Sequence, residues 1–239
     1  MSRFAVVVFP GSNCEHDVVA ALAEVGIDAT LVWHSEPDLG NVDGVVLPGG
    51  FAHGDYLRPG AIARFSPVMA AVTEAARDGA PVIGICNGFQ VLTEAGLLDG
   101  ALRRNVGLRF LCETVRCRVA STASSLTGSC ERGQVLALPI NHYEGSFTCD
   151  ASTLERLRAN DQIVLTYEDN PNGSVGDIAG ICNERRNVVG LMPHPERASS
   201  ILLGSLDGLD LLRSLTNRPP SSISVRQTPD ESASYAAAN

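Results

Sequence analysis

Residues 81–90 of the chain read PVIGICNGFQ, an apolar run followed by Cys86 between two glycines. Short continuous runs of apolar and β-branched residues are typical of parallel strands buried on both faces. The sequence therefore predicts a strand over 81–85, a sharp turn at Cys86 and a helix over 87–95. A nucleophilic side chain on such a strand–turn–helix forms a nucleophile elbow, with the N-terminus of the helix beside it.

The alternation of strand and helix extends to both sides of this segment. Strands are predicted at 4–9, 28–33, 42–50, 162–167, 177–183 and 187–193. Helices are predicted at 15–25, with Ser12 or Asn13 as its cap, at 61–78 and at 208–215. This order predicts an α/β protein with a doubly wound, mostly parallel sheet. The Ser/Thr-rich strands of 114–149 predict a small antiparallel insertion or edge.

The chain divides into one predicted domain over 1–216 and a tail over 217–239. No change of composition marks a boundary before the tail, which is rich in Pro, Ser and Ala and has few large apolar residues. Such a segment buries little surface, and we expect it to be flexible or to lie along the domain.

Composition and charge exclude several classes of function. A net charge of −9 argues against nucleic acid as a partner, since phosphate backbones require basic surface. No apolar run approaches the roughly 20 residues that span a bilayer, and residues 1–13 lack the pattern of a signal peptide. We therefore expect a cytoplasmic location without membrane contact.

The cysteines do not form a recognisable framework. They number seven, and Cys112 and Cys117, the nearest pair, have no second pair to complete a zinc set. His53 and Asp55 lie two residues apart and His142 is isolated, so we predict no metal site.

A base for Cys86 is suggested by the segment LMPHPER (191–197). A thiol nucleophile needs a base, and the base needs a group that orients it. Prolines follow Met192 and His194 and favour extended backbone, in which His194 and Glu196 project to the same side. A buried structural cysteine is the alternative for Cys86 alone. The three residues in these contexts favour a catalytic triad.

A second glycine turn, Pro48-Gly49-Gly50-Phe51, also follows a predicted strand. Open α/β sheets bind ligands at the carboxyl ends of their strands. The backbone N–H groups of Gly50 and Asn87 could therefore face a developing oxyanion. A routine strand–helix turn explains Gly50 equally well.

The elbow and the His-Pro-Glu segment resemble class I (triad) glutamine amidotransferases. Longer strings narrow the resemblance to the glutaminase subunits of phosphoribosylformylglycinamidine synthases, which act in purine synthesis. These strings are FPGSNCEHD (9–17), LPGGFAHGDYLRPGA (47–61), GICNGFQVLTEAGLLDGAL (84–102), NPNGS (170–174) with IAGICNE (178–184), and VVGLMPHPERA (188–198). The resemblance runs from about residue 4 to residue 215 and implies a flavodoxin-like fold, with 1–216 as a type 1 glutamine amidotransferase domain.

The resemblance implies roles for single residues. Cys86 would be the nucleophile, His194 the base and then the acid, and Glu196 its orienting carboxylate. Gly50 and Asn87 match oxyanion positions, and Gln90 matches a position of the glutamine site. The segment NHYEGSF (141–147) departs from the usual Ala-His-Gly-Glu-Gly pattern at two positions, and Arg58 and His53 receive no role.

The resemblance also implies partners. Glutamine hydrolysis would need no cofactor, whereas ATP and Mg²⁺ would be used by a large synthetase subunit, with a small third subunit in the same enzyme. The sequence agrees in one respect, since a chain without lysine has no phosphate-binding Gly-x-x-x-x-Gly-Lys-[Ser/Thr] loop.

Two other functions remain open from the residues alone. A stand-alone cysteine-dependent γ-glutamyl or amide hydrolase of the same superfold would share Cys86 and His194. A non-enzymatic binding module that kept the fold would not require the complete Cys, His and Glu set.

Overall fold

A computed structural model describes residues 2–216, so the predicted tail at 217–239 lies outside the described residues. The strands are β1 (Arg3–Val8), β2 (Asp28–Trp33), β3 (Gly44–Leu47), β4 (Val82–Ile85), β5 (Ala101–Arg103), β6 (Leu111–Val119), β7 (Val135–His142), β8 (Ser146–Thr148), β9 (Ile163–Tyr167), β10 (Ile178–Cys182) and β11 (Val188–Leu191). The α-helices are α1 (Glu15–Glu24), α2 (Val68–Arg77), α3 (Asn87–Glu94), α4 (Ala151–Ala159) and α5 (Asp207–Arg213).

Nine strands form one sheet in the order β2-β1-β3-β4-β11-β10-β9-β6-β7. The first five of these strands are parallel, and the remaining four continue the sheet with antiparallel pairing. Strands β5 and β8 form a separate antiparallel pair. The predicted α/β class and its antiparallel edge are confirmed, and the edge extends beyond 114–149 to include β9 and β10.

The centre of the sheet aligns the ends of three strands. Strands β3, β4 and β11 are buried along their whole length, as expected for apolar runs covered on both faces. Leu47 pairs with Gly84, and Ile85 pairs with Leu191. The residues that follow these strands therefore meet at one edge of the sheet, where open α/β sheets place their ligands.

Helix boundaries differ from prediction in two places. The helix predicted over 61–78 is wrong in its first half: a 3-10 turn ends at Phe65, and α2 begins only at Val68. Ser66 is extended because it precedes Pro67. Helix α1 is capped at Cys14 without a side-chain hydrogen bond, so the predicted Ser12 or Asn13 cap is also wrong.

Helix α4 was not predicted from the sequence. Its local signal is Asp150, whose carboxylate accepts a hydrogen bond from the Thr153 N–H at 2.7 Å and caps the helix.

Across residues 2–216, every helix is too short or too polar to span a lipid bilayer.

Candidate active site

Cys86 occupies the turn between β4 and α3 with a left-handed backbone conformation, φ 51° and ψ −105°. Its N–H donates to the Leu191 carbonyl at 2.8 Å, which ties the turn to β11. The glycines on either side are required by close packing, because a Cβ on Gly84 would lie 2.5 Å from Leu92 Cδ1 and one on Gly88 would lie 1.9 Å from the Leu47 carbonyl oxygen. The structure thus has the elbow geometry predicted from the sequence.

His194 and Glu196 form a buried hydrogen-bonded pair after β11. The Nδ1 atom of His194 lies 2.6 Å from Glu196 Oε1, and the side chains are 1% and 0% exposed. The His194 N–H donates to the Pro139 carbonyl of β7 at 2.8 Å, which fixes the backbone of the pair. The predicted pairing of the two side chains is present. The predicted extended backbone is wrong, because Pro195 begins a 3-10 turn, Pro195–Ala198, that brings the two side chains together.

The imidazole of His194 and the thiol of Cys86 converge around Gly49. A Cβ on Gly49 would lie 2.7 Å from His194 Cε1 and 3.5 Å from Cys86 Cβ, so only glycine leaves room for both side chains. Burial alone would lower the pKa of His194. The Glu196 carboxylate and the Cys86 sulfur favour the charged imidazolium, and their effect outweighs burial, so the pKa is raised above its usual value. The fold therefore unites the three residues predicted as a triad, although Cys86 and His194 are far apart in the chain.

Two backbone N–H groups beside the thiol are free to bind an oxyanion. Within residues 2–216, no acceptor is recorded for the N–H groups of Gly50 and Asn87. Asn87 is the first residue of α3, where N–H groups have no partner in the helix. Gly50 has a φ of 141°, and a Cβ there would lie 2.7 Å from Ser12 Cα, so another residue would displace the loop.

Side-chain amides join the elbow to two loops. The Asn87 side chain accepts from the Ala52 N–H at 3.0 Å and donates to Gln90 Oε1 at 2.8 Å. Gln90 Nε2 in turn donates to the Glu144 carbonyl at 2.5 Å. Cys86 and Gln90 line a cavity of about 210 Å³ between these loops, and Arg58 also lines it. A substrate in this cavity would lie against the thiol.

The 141–147 segment approaches the site mainly through its backbone. Cys86 Sγ donates to the Asn141 carbonyl at 3.7 Å, a contact that does not depend on the Asn141 side chain. Tyr143 is exposed, with the Arg104 guanidinium 6.0 Å from its ring centroid. The two departures from the family pattern therefore leave the contact with the thiol in place.

Sequence reasoning missed Cys14 and the position of His142. The ligating atoms of Cys14, His194 and Glu196 lie within 4.8 Å of one another, a set that could hold a metal ion, and the absence of a metal stays a prediction. The FPGSNCEHD string is the sequence signal for Cys14. His142 is not isolated: burial and the nearby His194 lower its pKa to about 4, which keeps its ring neutral near pH 7. His53 packs edge-on to His34, with ring centroids 5.2 Å apart.

Known proteins with similar sequences belong to one family of enzymes. A model of the CobB/CobQ-like glutamine amidotransferase domain matches residues 1–205. The phosphoribosylformylglycinamidine synthase subunit PurQ of Rubrobacter xylanophilus is 56% identical over 213 residues, which cover 89% of this chain and 97% of that protein. The corresponding subunit of Koribacter versatilis is 53% identical over 223 residues, with coverages of 89% and 96%.

A solved structure gives the same relationship. A chain in the structure of PurLQS from Thermotoga maritima superposes with a TM-score of 0.84 at 40% identity, covering 91% of this chain and 99% of that chain. With a family model and two relatives that span nearly the whole domain, the chain belongs to the CobB/CobQ-like glutamine amidotransferases and, among them, to the PurQ subunits of phosphoribosylformylglycinamidine synthase.

Proposed function

We propose that Cys86, His194 and Glu196 are the catalytic triad with which this glutamine amidotransferase subunit releases ammonia from glutamine. The observation that carries the proposal is the buried His194–Glu196 pair, 2.6 Å apart, which meets the elbow cysteine around Gly49. This arrangement places a nucleophile beside a base, and the base beside a carboxylate that orients it.

In the first half of the reaction, His194 takes the proton of the Cys86 thiol and the sulfur attacks the side-chain amide carbon of glutamine. The carbonyl oxygen becomes an oxyanion, which accepts hydrogen bonds from the N–H groups of Gly50 and Asn87. His194 then gives the proton to the leaving nitrogen, the C–N bond breaks, and ammonia departs from a γ-glutamyl thioester. The Glu196 carboxylate stabilises the imidazolium that forms between these steps.

In the second half, His194 takes a proton from water, and the hydroxide attacks the thioester carbon. The C–S bond breaks, the Cys86 sulfur regains a proton from His194, and glutamate leaves. Each step uses only side chains, backbone N–H groups and water. Gln90 lines the cavity beside the thiol, where we place it against the bound glutamine.

The ammonia passes to a synthetase partner, which converts formylglycinamide ribonucleotide to formylglycinamidine ribonucleotide. The likeness to a chain in the structure of PurLQS supports assembly with other subunits, which we assign as a large synthetase and a small third subunit. We place ATP and Mg²⁺ on the synthetase. A cytoplasmic location fits the free thiols, all seven of which lie among the described residues.

The test is the Cys86→Ala variant in the complex with the synthetase partner. We expect glutamine-dependent synthesis to be abolished while ammonia-dependent synthesis continues, because only the supply of ammonia is lost. Cys112→Ser, which changes an exposed cysteine, serves as the control. Glutamine hydrolysis at the normal rate by Cys86→Ala would overturn the assignment.

A second measurement separates this function from that of a stand-alone hydrolase. A subunit should hydrolyse glutamine slowly alone and faster after the partner is added. A free-standing hydrolase should turn over equally well in both conditions.

A further inference from the structure

The cavity beside Cys86 contains two acidic side chains that the proposed mechanism does not use. Asp55, in the loop after β3, and Glu144, in the loop between β7 and β8, both line the cavity together with Cys86 and Gln90. The two loops face each other across the opening. A ligand whose amide reaches the thiol would therefore pass between two carboxyl groups.

Asp55 is held in place without a cation. Its Oδ1 accepts a hydrogen bond from Asn87 Nδ2 at 3.2 Å, and within residues 2–216 it forms no ion pair. Burial and repulsion by Glu144 raise the pKa of Asp55 to about 6, against the smaller opposing effect of Asn87. A positive group placed beside Asp55 would relieve both costs.

The cationic side chains of the cavity are already engaged. Arg58 forms a two-point pair with Glu94, at 2.5 and 2.7 Å. Arg104 Nε lies 3.2 Å from Glu144 Oε1, with most of the Arg104 side chain exposed. Neither is recorded in contact with Asp55, so the positive group that completes the site comes from the ligand.

We propose that Asp55, supported by the charge of Glu144, binds the α-ammonium group of glutamine. This inference rests on the proposed function and extends it to substrate selection. Asn87 links the two parts of the site, because its N–H faces the oxyanion position while its side chain holds both Asp55 and Gln90. The same residue thus sets the spacing between the reacting amide and the α-ammonium group. An amide substrate without an ammonium group would leave the Asp55 carboxylate unpaired, so the cavity would select against that substrate.

The test compares glutamine with glutaramate, which has a hydrogen in place of the α-ammonium group. Both are assayed for amide hydrolysis by Asp55→Asn in the complex with the synthetase partner. We expect kcat/KM for glutamine to fall by about 10- to 100-fold, as for loss of a hydrogen bond to a charged group. The value for glutaramate should not fall. Glu144→Gln should also lower the ratio of kcat/KM for glutamine to kcat/KM for glutaramate, by a smaller factor than Asp55→Asn does.

The matched control is Asp28→Asn, which removes an exposed carboxylate from β2 at the far edge of the sheet. Asparagine at position 55 keeps an oxygen for Asn87, so the loop should remain folded. An equal fall of kcat/KM for glutamine and for glutaramate in Asp55→Asn would show that Asp55 has a structural role, and it would overturn the proposal.

Alkylation of Cys86 gives a readout that does not depend on turnover. Iodoacetamide lacks an α-ammonium group, whereas a diazoketone analogue of glutamine carries one. In Asp55→Asn we expect slower labelling by the analogue and normal labelling by iodoacetamide; equal rates of analogue labelling in both proteins would contradict the proposal. Failure of the proposed function would look different, since the analogue would then not label Cys86 in the unchanged protein.

Discussion

Cys86, His194 and Glu196 follow strands at the centre of the sheet, whereas Asp55 and Glu144 lie in loops held by the side-chain amides of Asn87 and Gln90. Around the triad, backbone and side-chain atoms approach so closely that Gly49, Gly84 and Gly88 admit no Cβ. The loops are held by hydrogen bonds between distant segments, among them Ala52 N–H to the Asn87 side chain and Gln90 Nε2 to the Glu144 carbonyl. The difference suggests that the triad sets whether the reaction occurs, while the loops set which amide is presented to it.

Glu196→Gln should have the largest effect, because it leaves the shape of the triad intact and removes its charge. A neutral amide neither fixes the His194 tautomer nor stabilises the imidazolium, and we expect kcat for glutamine hydrolysis to fall by about 10³- to 10⁴-fold. Ammonia-dependent synthesis by the complex should continue.

Glu184→Gln, an exposed residue in the turn between β10 and β11, is the control for this change. Hydrolysis by Glu196→Gln at a rate near that of the control would show that the buried carboxylate has no catalytic role.

Gly88→Ala should come next and act on the fold. The new methyl group would lie 1.9 Å from the Leu47 carbonyl oxygen, so α3 must move away from β3. We expect a loss of about 3 kcal/mol or more in the free energy of unfolding, measured by urea denaturation. Gly128→Ala, whose Cβ would lie no closer than 3.6 Å to its neighbours, is the control. Equal stability of the two variants would mean that the elbow is not packed as described.

Asn87→Ala should have an intermediate effect that separates the two regions. It leaves the backbone N–H at position 87 in place but removes the acceptor of the Ala52 N–H and the donor to Asp55. An unpaired buried N–H costs about 1–3 kcal/mol, and we expect a loss of that size in unfolding free energy together with a higher KM for glutamine. Asn160→Ala, an exposed residue at the end of α4, is the control. A change in kcat alone, with KM and stability unaltered, would contradict the proposed division between triad and loops.

Asp55→Asn should have the smallest effect on stability, and the effect should depend on pH. The pKa of Asp55 is about 6 in the folded protein, above its usual value of 3.8, so the folded state binds the proton more tightly. The contribution of protonated Asp55 to the free energy of unfolding is therefore fully present below pH 3.8 and is lost as the pH rises through 6. Above pH 6 we expect Asp55→Asn to be more stable by about 1–2 kcal/mol, discounted for partial exposure.

The comparison is made by urea denaturation of both proteins at pH 5 and pH 8. A stability difference that shrinks with rising pH would have the wrong sign and would refute the raised pKa.

The residues of the proposed triad were predictable because their signals are local. An apolar run ends at a cysteine between glycines, and His194 is two residues from Glu196 in a proline-rich segment. The cavity was not predictable, because Asn87 meets Ala52 and Gln90 meets Glu144 across 35 and 54 residues, contacts that no local pattern reports. The same holds for Cys14, which reaches His194 only through the tertiary fold.

The parallel strands were likewise predicted from their apolar runs, whereas helix boundaries were not. The alanine-rich composition of 61–78 favours helix throughout, but Pro67 forces Ser66 into an extended conformation and so interrupts the helix. Asp150 caps a helix whose exposed, polar sequence has little apolar periodicity to reveal it.

The left-handed backbone of Cys86, the proposed nucleophile, destabilises the folded protein. A side chain in so sparsely populated a region costs of the order of 1–3 kcal/mol, and glycine at this position would remove most of that cost. Any selection that rewards only soluble expression will therefore enrich chains that have lost the nucleophile. Directed evolution of this subunit needs a screen that demands ammonia at every round, because folding and chemistry make opposite demands on residue 86.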